Sequence, residues 1–185
     1  MKYLVAACLV AAPLWPIAAV AQALPIGTLI TGTLNGQADG LLGLDQGFAA
    51  VSGSNITHLA NELEYLSSDY ALGIDFLSDG KVVFYNNTDA PGLPGSYTLS
   101  FDFSGLPQPL TGFTLGSGLA GGSVTASLLN AHSISITLSN VSVDEVYGSF
   151  SGQLSVGPVP EPGSALLWMA GLGLVCALCR RGVSA

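Results

Sequence analysis

Two stretches of the chain alternate strictly between apolar and polar residues. Tyr97, Leu99, Phe101 and Phe103 are interleaved with Ser96, Thr98, Ser100 and Asp102. Ile134, Ile136 and Leu138 are interleaved with Ser133, Ser135, Thr137 and Ser139. A period of two puts every second side chain on one face, so each stretch reads as a strand with one buried and one wet face. Such strands belong to antiparallel sheet, because parallel sheet is covered on both faces. Val146, Phe150, Leu154 and Val156 also share one parity, with Gly148 and Gly152 between them. Further strand candidates are 26–34, 48–51, 56–59, 72–77 and 82–85, for about eight to ten short strands in all.

The connections follow from turn chemistry. Ser78-Asp79-Gly80-Lys81 reads as a hairpin built on a two-residue Asp-Gly turn. Further turns are expected at 119–122 and 130–131, and 140–145 is expected to continue a strand through a bulge. The segment 58–67, HLANELEYLS, carries Leu59, Leu63 and Leu66. That spacing allows one or two helical turns and equally fits a strand. No other segment between the chain ends offers a long amphipathic helix. Layer logic then predicts an all-β fold, two antiparallel sheets packed as a sandwich or jelly roll, with an irregular barrel as the alternative. A parallel β-helix needs regular repeats, and none is evident.

Both ends differ from the middle. Residues 1–23 begin with Lys2, continue with an apolar run from Leu4 to Val20 broken by Pro13 and Pro16, and finish Ala21-Gln22-Ala23. Ala21 and Ala23 are the small residues that a signal peptidase reads, so 1–23 is expected to be a secretory signal peptide cleaved after Ala23. Only seven residues precede Cys8, too few for a lipoprotein signal. Near the other end, 163–179 holds no charged residue, and Arg180 and Arg181 follow at once. As a helix this segment is about 25 Å long, at the short end of membrane-spanning lengths. The arginines would hold the following residues in the cytoplasm, and Trp168 suits the outer interface. Pro160 and Pro162 stop the helix from extending upstream.

Pro160-Glu161-Pro162, followed by the small residues Gly163 and Ser164, a short apolar helix and a basic pair, resembles the PEP-CTERM sorting signal. The resemblance covers 160–185 and rests on three elements in fixed order. It implies a Gram-negative bacterium that makes extracellular polysaccharide, and processing near Pro160, Glu161 and Pro162 by an exosortase, a membrane enzyme. Arg180 and Arg181 correspond to its basic end. Because proteins with this signal share no single body fold, the resemblance implies a route rather than an activity. The expected organisation is a signal peptide at 1–23, an exported β domain at 24–159, and a sorting signal at 160–185. Within the last, 160–162 is the motif, 163–179 the transmembrane helix and 180–185 the basic tail.

The body carries eleven acids, Lys81 as its one base besides histidine, and no cysteine. Its net charge of about -10 repels nucleic acid. An acidic polysaccharide would need a bridging cation or a neutral face. Stability rests on packing alone, without a disulfide, in an oxidising compartment. Cys176 and Cys179 have redox spacing but lie in the apolar helix, where they read as small hydrophobes.

Catalytic patterns are thin. The body has no arginine, no phosphate-binding glycine loop and no Gly-x-Ser-x-Gly elbow. His58 and His132 stand alone, without zinc-ligand spacing, and His132 reads as an exposed turn residue. Glu62 with Glu64, and Asp75 with Asp102, are the acid pairs a glycosidase would need across a cleft; exposed solubilising carboxylates are the simpler reading. Asp69, Asp79, Asn86, Asn87, Asp89 and Asp144 supply oxygens that suit structural calcium, without the spacing that singles out ligands. No other cofactor is implied. Both tryptophans, Trp15 and Trp168, lie in the end segments, so sugar stacking would fall to Tyr65, Tyr70, Tyr85, Tyr97 and Tyr147. Of these, Tyr97 has core parity, and Tyr85 and Tyr147 are the surface candidates. Asn55-Ile56-Thr57 and Asn86-Asn87-Thr88 match a glycosylation pattern and read as turns.

The resulting expectation is a non-enzymatic, exported cell-surface or extracellular-matrix protein. Its role is structural or adhesive, in association with exopolysaccharide or biofilm. Its partners are signal peptidase, an exosortase-type enzyme, the membrane before processing, and extracellular polysaccharide, with no nucleic acid. A carbohydrate-binding module is the alternative, and it requires a concave sheet face with exposed Tyr and Asn or Asp.

Overall fold

The computed structural model describes residues 24–157. The expected signal peptide with Ala21 and Ala23 lies outside the described residues. So do Pro160, Glu161, Pro162, Gly163, Arg180 and Arg181, the expected helix at 163–179 and the three cysteines. Eleven strands are present: β1 Leu29–Leu34, β2 Leu41–Gly43, β3 Ile56–His58, β4 Tyr65–Ser67, β5 Leu72–Phe76, β6 Lys81–Asn86, β7 Gly92–Ser104, β8 Leu110–Leu115, β9 Leu119–Leu128, β10 Ser133–Val143 and β11 Ser149–Val156. They form a five-stranded sheet, β3-β1-β7-β10-β9, and a six-stranded sheet, β2-β4-β5-β6-β11-β8. Every pairing is antiparallel. Among the described residues no helix is long and apolar enough to cross a membrane.

The alternation fixes the core. Leu99, Phe101 and Phe103 of β7 pair with Ile136, Ile134 and their neighbours on β10, and all point inward. Leu72, Ile74 and Phe76 of β5 and Val82 and Phe84 of β6 answer them from the six-stranded sheet. The sheets meet ring on ring. Phe76 sits edge-on to Phe101 at 4.9 Å and to Phe103 at 5.4 Å, the arrangement that opposed ring quadrupoles favour. Each fully buried aromatic or aliphatic side chain contributes roughly 1.5–3 kcal/mol, and the interface is built from them without a disulfide.

Glycines let rings and strands approach. Gly152 lies on the inward row of β11, where a Cβ would fall 2.0 Å from the Phe113 ring of β8. The expected bulge occurs on β10: its register shifts between Ser139 and Val141, and Asn140 adopts φ 47°. Facing it, Gly122 takes φ 82°, and a Cβ there would lie 2.3 Å from the Asn140 carbonyl oxygen.

One open reading is decided and three local expectations are corrected. Residues 58–67 form no helix. Tyr65 is wholly buried and its hydroxyl donates to Ile30 O across the sheets at 2.7 Å, so burial in a strand prevails over the weak local helix spacing. Residues 48–51 form no strand, because Gly47 and Phe48 both adopt positive φ and turn the chain. Residues 119–122 open β9 rather than a turn. The 78–81 hairpin uses a three-residue loop, closed by Leu77 N–H to Lys81 O at 2.8 Å, with Gly80 at φ 85°.

Candidate functional site

The outer face of the six-stranded sheet carries the most developed site. On β5, Leu72, Ile74 and Phe76 face the core, so Gly73 and Asp75 face out. On β6 the same rule sends Val82 and Phe84 inward and Tyr85 outward. Gly73 lies directly opposite Tyr85 in the register. With no side chain at 73, the sheet surface drops away between Leu63 and Tyr85. A Cβ there would meet both at 3.3 Å. The result is an open depression of about 470 Å³. Gly73 is its floor, Leu63 and Leu66 form one wall, and Tyr85 and Tyr147 form the other. Asp75 and the Asn86–Asn87 pair lie at opposite ends along β5 and β6, because Leu72 pairs with Asn86 and Asp75 with Val83.

The rim is pinned by backbone contacts. Tyr147 sits in the β10–β11 connection at φ 58° and is 63% exposed. The next residue, Gly148, accepts a hydrogen bond from Asn86 N–H at 2.9 Å, which fixes the loop to the end of β6. Asn87 donates from Nδ2 to Tyr70 O at 2.7 Å and from its backbone to Ala71 O at 2.8 Å. Non-glycine residues with positive φ persist only where their surroundings hold them there; here the hold presents a tyrosine ring to solvent.

Behind Asp75 lies Glu64, the one fully buried acid among the described residues. Its Oε1 accepts Ala60 N–H at 2.8 Å and its Oε2 accepts Phe76 N–H at 2.6 Å. Burial pushes its pKa up to about 7, against those two hydrogen bonds, and the neighbouring Asp75 carboxylate adds to the rise. Asp75 is also raised by burial, while hydrogen bonds with Glu64 and the Tyr85 hydroxyl hold it partly down. Glu64 and Asp75 therefore disfavour ionising together. Two carboxyl groups in such contact share one proton rather than ionise together.

The two acids are not placed as a glycosidase pair. A glycosidase keeps two accessible carboxyl groups on either side of the scissile bond, about 5–9 Å apart. Here the second acid is sealed beneath the first and engaged by backbone N–H groups. What the depression offers is a pair of aromatic rings and one carboxylate, since Asn86 is buried and bonded to Ala90 and Thr88 and the Asn87 amide donates to Tyr70 O. Rings stack on the apolar face of a sugar, and convergent polar groups take its hydroxyls.

The remaining expected residues scatter. Glu62 is exposed in the bend before β4. Asp102 faces out from β7 on the other sheet, where it accepts the Ser133 hydroxyl, so it does not meet Asp75. His58 contacts Asp45 Oδ2 through Nδ1 at 2.6 Å, and its backbone N–H donates to the same oxygen at 3.1 Å. His132 is half-buried rather than exposed, and its Nδ1 lacks a partner. Asp69 and Asp79 are occupied in turns, accepting Ala71 and Lys81 N–H at 3.1 and 2.9 Å. Among the described residues no group of three or more His, Cys, Asp or Glu converges as metal ligands. Asn86 is buried at the end of β6 and bonded to Ala90 O, and Asn55 precedes β3 and donates to Gly32 O at 3.0 Å, so the sequons lie at strand ends rather than wholly in turns.

Compared with known families, residues 158–181 match the PEP-CTERM protein-sorting motif. The chain carries a PEP-CTERM sorting motif. The matched residues include Pro160, Glu161, Pro162, Gly163, Arg180 and Arg181. A PEP-CTERM motif implies handling by an exosortase-type system, export, and a membrane-associated precursor before surface display. The matched residues lie outside the described residues. No curated protein and no solved structure matches the chain.

Proposed function

We propose that the chain is a structural or adhesive component of the cell surface or extracellular matrix, associated with exopolysaccharide. Residues 1–23 direct export, with cleavage after Ala23. The body at 24–159 works outside. In 160–185, Pro160, Glu161, Pro162 and Gly163 form the processing site, 163–179 halts in the membrane, and Arg180 and Arg181 hold the cytoplasmic side. The observation that carries this reading is the PEP-CTERM match over 158–181. The body supports it: Leu24 is fully buried and its N–H donates to Ser78 O at 2.7 Å, so the fold is engaged from the first residue after the proposed cut. Replacing Pro160, Glu161 and Pro162 with alanine in the producing cell tests it. The variant is expected to accumulate in the inner-membrane fraction; undiminished surface display overturns the reading.

One observation favours a glycan-binding role within that setting, namely the depression floored by Gly73 and walled by Tyr85 and Tyr147. Its single accessible carboxylate and the acidic body select a neutral glycan over an acidic one. Binding of the full chain, in detergent micelles, to immobilised neutral polysaccharide is the test. Retention that Tyr147→Ala weakens supports the role, and equal retention of both chains contradicts it.

A further inference from the structure

From Phe103 to Val143 the sequence contains no Asp, Glu, Lys or Arg. This span supplies β8, β9 and β10, one entire side of an otherwise acidic body. At its margin lies β9, which pairs with β10 alone and leaves its other side open. Natural sheets guard long edges with charges, prolines or bulges, because open N–H and C=O groups template pairing with another chain. β9 has a bulge only near Gly121 and Gly122. From Ser123 to Leu128 the register is regular, and the segment SVTASL has no charge, proline or glycine.

The ladder identifies the open groups. Leu129 N–H donates to Ser133 O at 2.8 Å. Hydrogen-bonded pairs alternate along an antiparallel ladder, so Ser127, Thr125 and Ser123 bond to β10. Val124, Ala126 and Leu128 therefore direct their backbone groups to the free side. The same three residues stand opposite Leu138, Ile136 and Ile134, which are fully buried. They carry core parity, yet Leu128 is 41% exposed and its neighbour Leu129 58%. Val124 packs against the core, whereas the Ala126–Leu128 end of this row is left uncovered at the open margin.

We infer that this margin takes β9 of a second copy, paired antiparallel about a two-fold axis at Ala126. Val124 of each copy then faces Leu128 of the other, and the two five-stranded sheets become one. Charge argues for self-pairing here: two bodies of the same negative sign repel wherever their acids face, and only this side brings none. The opposite margin of the same sheet is β3, three residues long and ending in His58, which contacts Asp45. It offers no comparable edge, so the contact closes as a dimer rather than propagating.

The full chain in detergent micelles, sized by light scattering with the detergent mass subtracted, tests the inference. Ala126→Pro removes an outward N–H without breaking a bond to β10, and Leu128→Lys places a charge on the edge. The wild type is expected as two copies and both variants as one, with at least a ten-fold rise in dissociation constant. A monomeric wild type, or variants that remain dimeric, overturns the inference. Should a variant misfold, hydrogen exchange on the wild type decides. Amides of Val124, Ala126 and Leu128 are expected to be protected at high concentration and to exchange rapidly on dilution. Rapid exchange at both concentrations contradicts the pairing.

Discussion

The Glu64 carboxyl group accepts the backbone N–H of Phe76 at 2.6 Å, which ties the bend before β4 to the end of β5 beneath the candidate site. This buried acid gives the body a defined response to pH. Folding raises the pKa of Glu64 from 4.5 to about 7. Between those values the folded state holds a proton that the unfolded state has released, so stability falls as pH rises. The contribution is complete below pH 4.5 and lost above 7, a span worth about 3 kcal/mol. Asp75, also raised, acts in the same direction. Denaturant titrations of the exported form from pH 5 to 8 are expected to show decreasing stability, with a flatter profile for Glu64→Gln. Glu64→Leu leaves the Ala60 and Phe76 N–H groups unpartnered and is expected to destabilise at every pH, by about 2–4 kcal/mol.

Tyr65 joins the two sheets through its hydroxyl, which donates to Ile30 O at 2.7 Å and approaches Asn55 O at 3.1 Å. Tyr65→Phe keeps the packing and removes the bond, an expected loss of about 1 kcal/mol and a few degrees in Tm by calorimetry. Burial raises the pKa of this phenol. Its ultraviolet ionisation signal is therefore expected only when the fold opens at alkaline pH.

The two exposed rings of the depression are expected to contribute separately to glycan affinity. Tyr85→Ala and Tyr147→Ala should each weaken binding roughly ten-fold, as loss of a stacked ring costs about 1 kcal/mol or more. Tyr147 lies in a loop, so its removal should leave Tm within a few degrees of wild type. Gly73→Val fills the floor between Leu63 and Tyr85 and is expected to abolish binding in calorimetric titration.

Two glycines separate conformational need from open space. Gly122 has φ 82° and no room for a Cβ beside the Asn140 carbonyl, whereas Gly112 meets nothing within 4 Å. Gly122→Ala is expected to cost at least about 2 kcal/mol, and Gly112→Ala to stabilise by about 0.5 kcal/mol by restricting the unfolded chain. Chemical denaturation of the pair checks both signs.

The long central strands were legible because Leu99, Phe101, Phe103, Ile134, Ile136 and Leu138 alternate cleanly with serine and threonine, and both faces of that pattern survive in β7 and β10. The bulge near Asn140 was legible for a similar reason: the alternation breaks there and resumes at Val141. Short strands were harder. β2 and β4 contain three residues each, less than two periods, and neither pattern nor propensity marks so brief a segment. β8 is interrupted by Gly112 and sits between turn-forming residues, which hid it among loops. Residues 119–122 read as a turn because glycine there serves the bulge, a pairing with Asn140 that local sequence does not disclose.

The candidate site was half visible. Tyr85 breaks the inward row of Val82 and Phe84, and that parity alone marks it as a surface residue. Glu64 looked like one more solubilising acid because its burial depends on Ala60 and Phe76, the second of them twelve positions away. The floor at Gly73 becomes a depression only through Leu63 and Tyr85, which arrive from different parts of the chain.

Intact-mass spectrometry of the chain recovered from the extracellular fraction tests the central claim most directly. The proposed route yields a species that begins at Leu24 and lacks Arg180 and Arg181. A wild-type extracellular product that retains both arginines contradicts it.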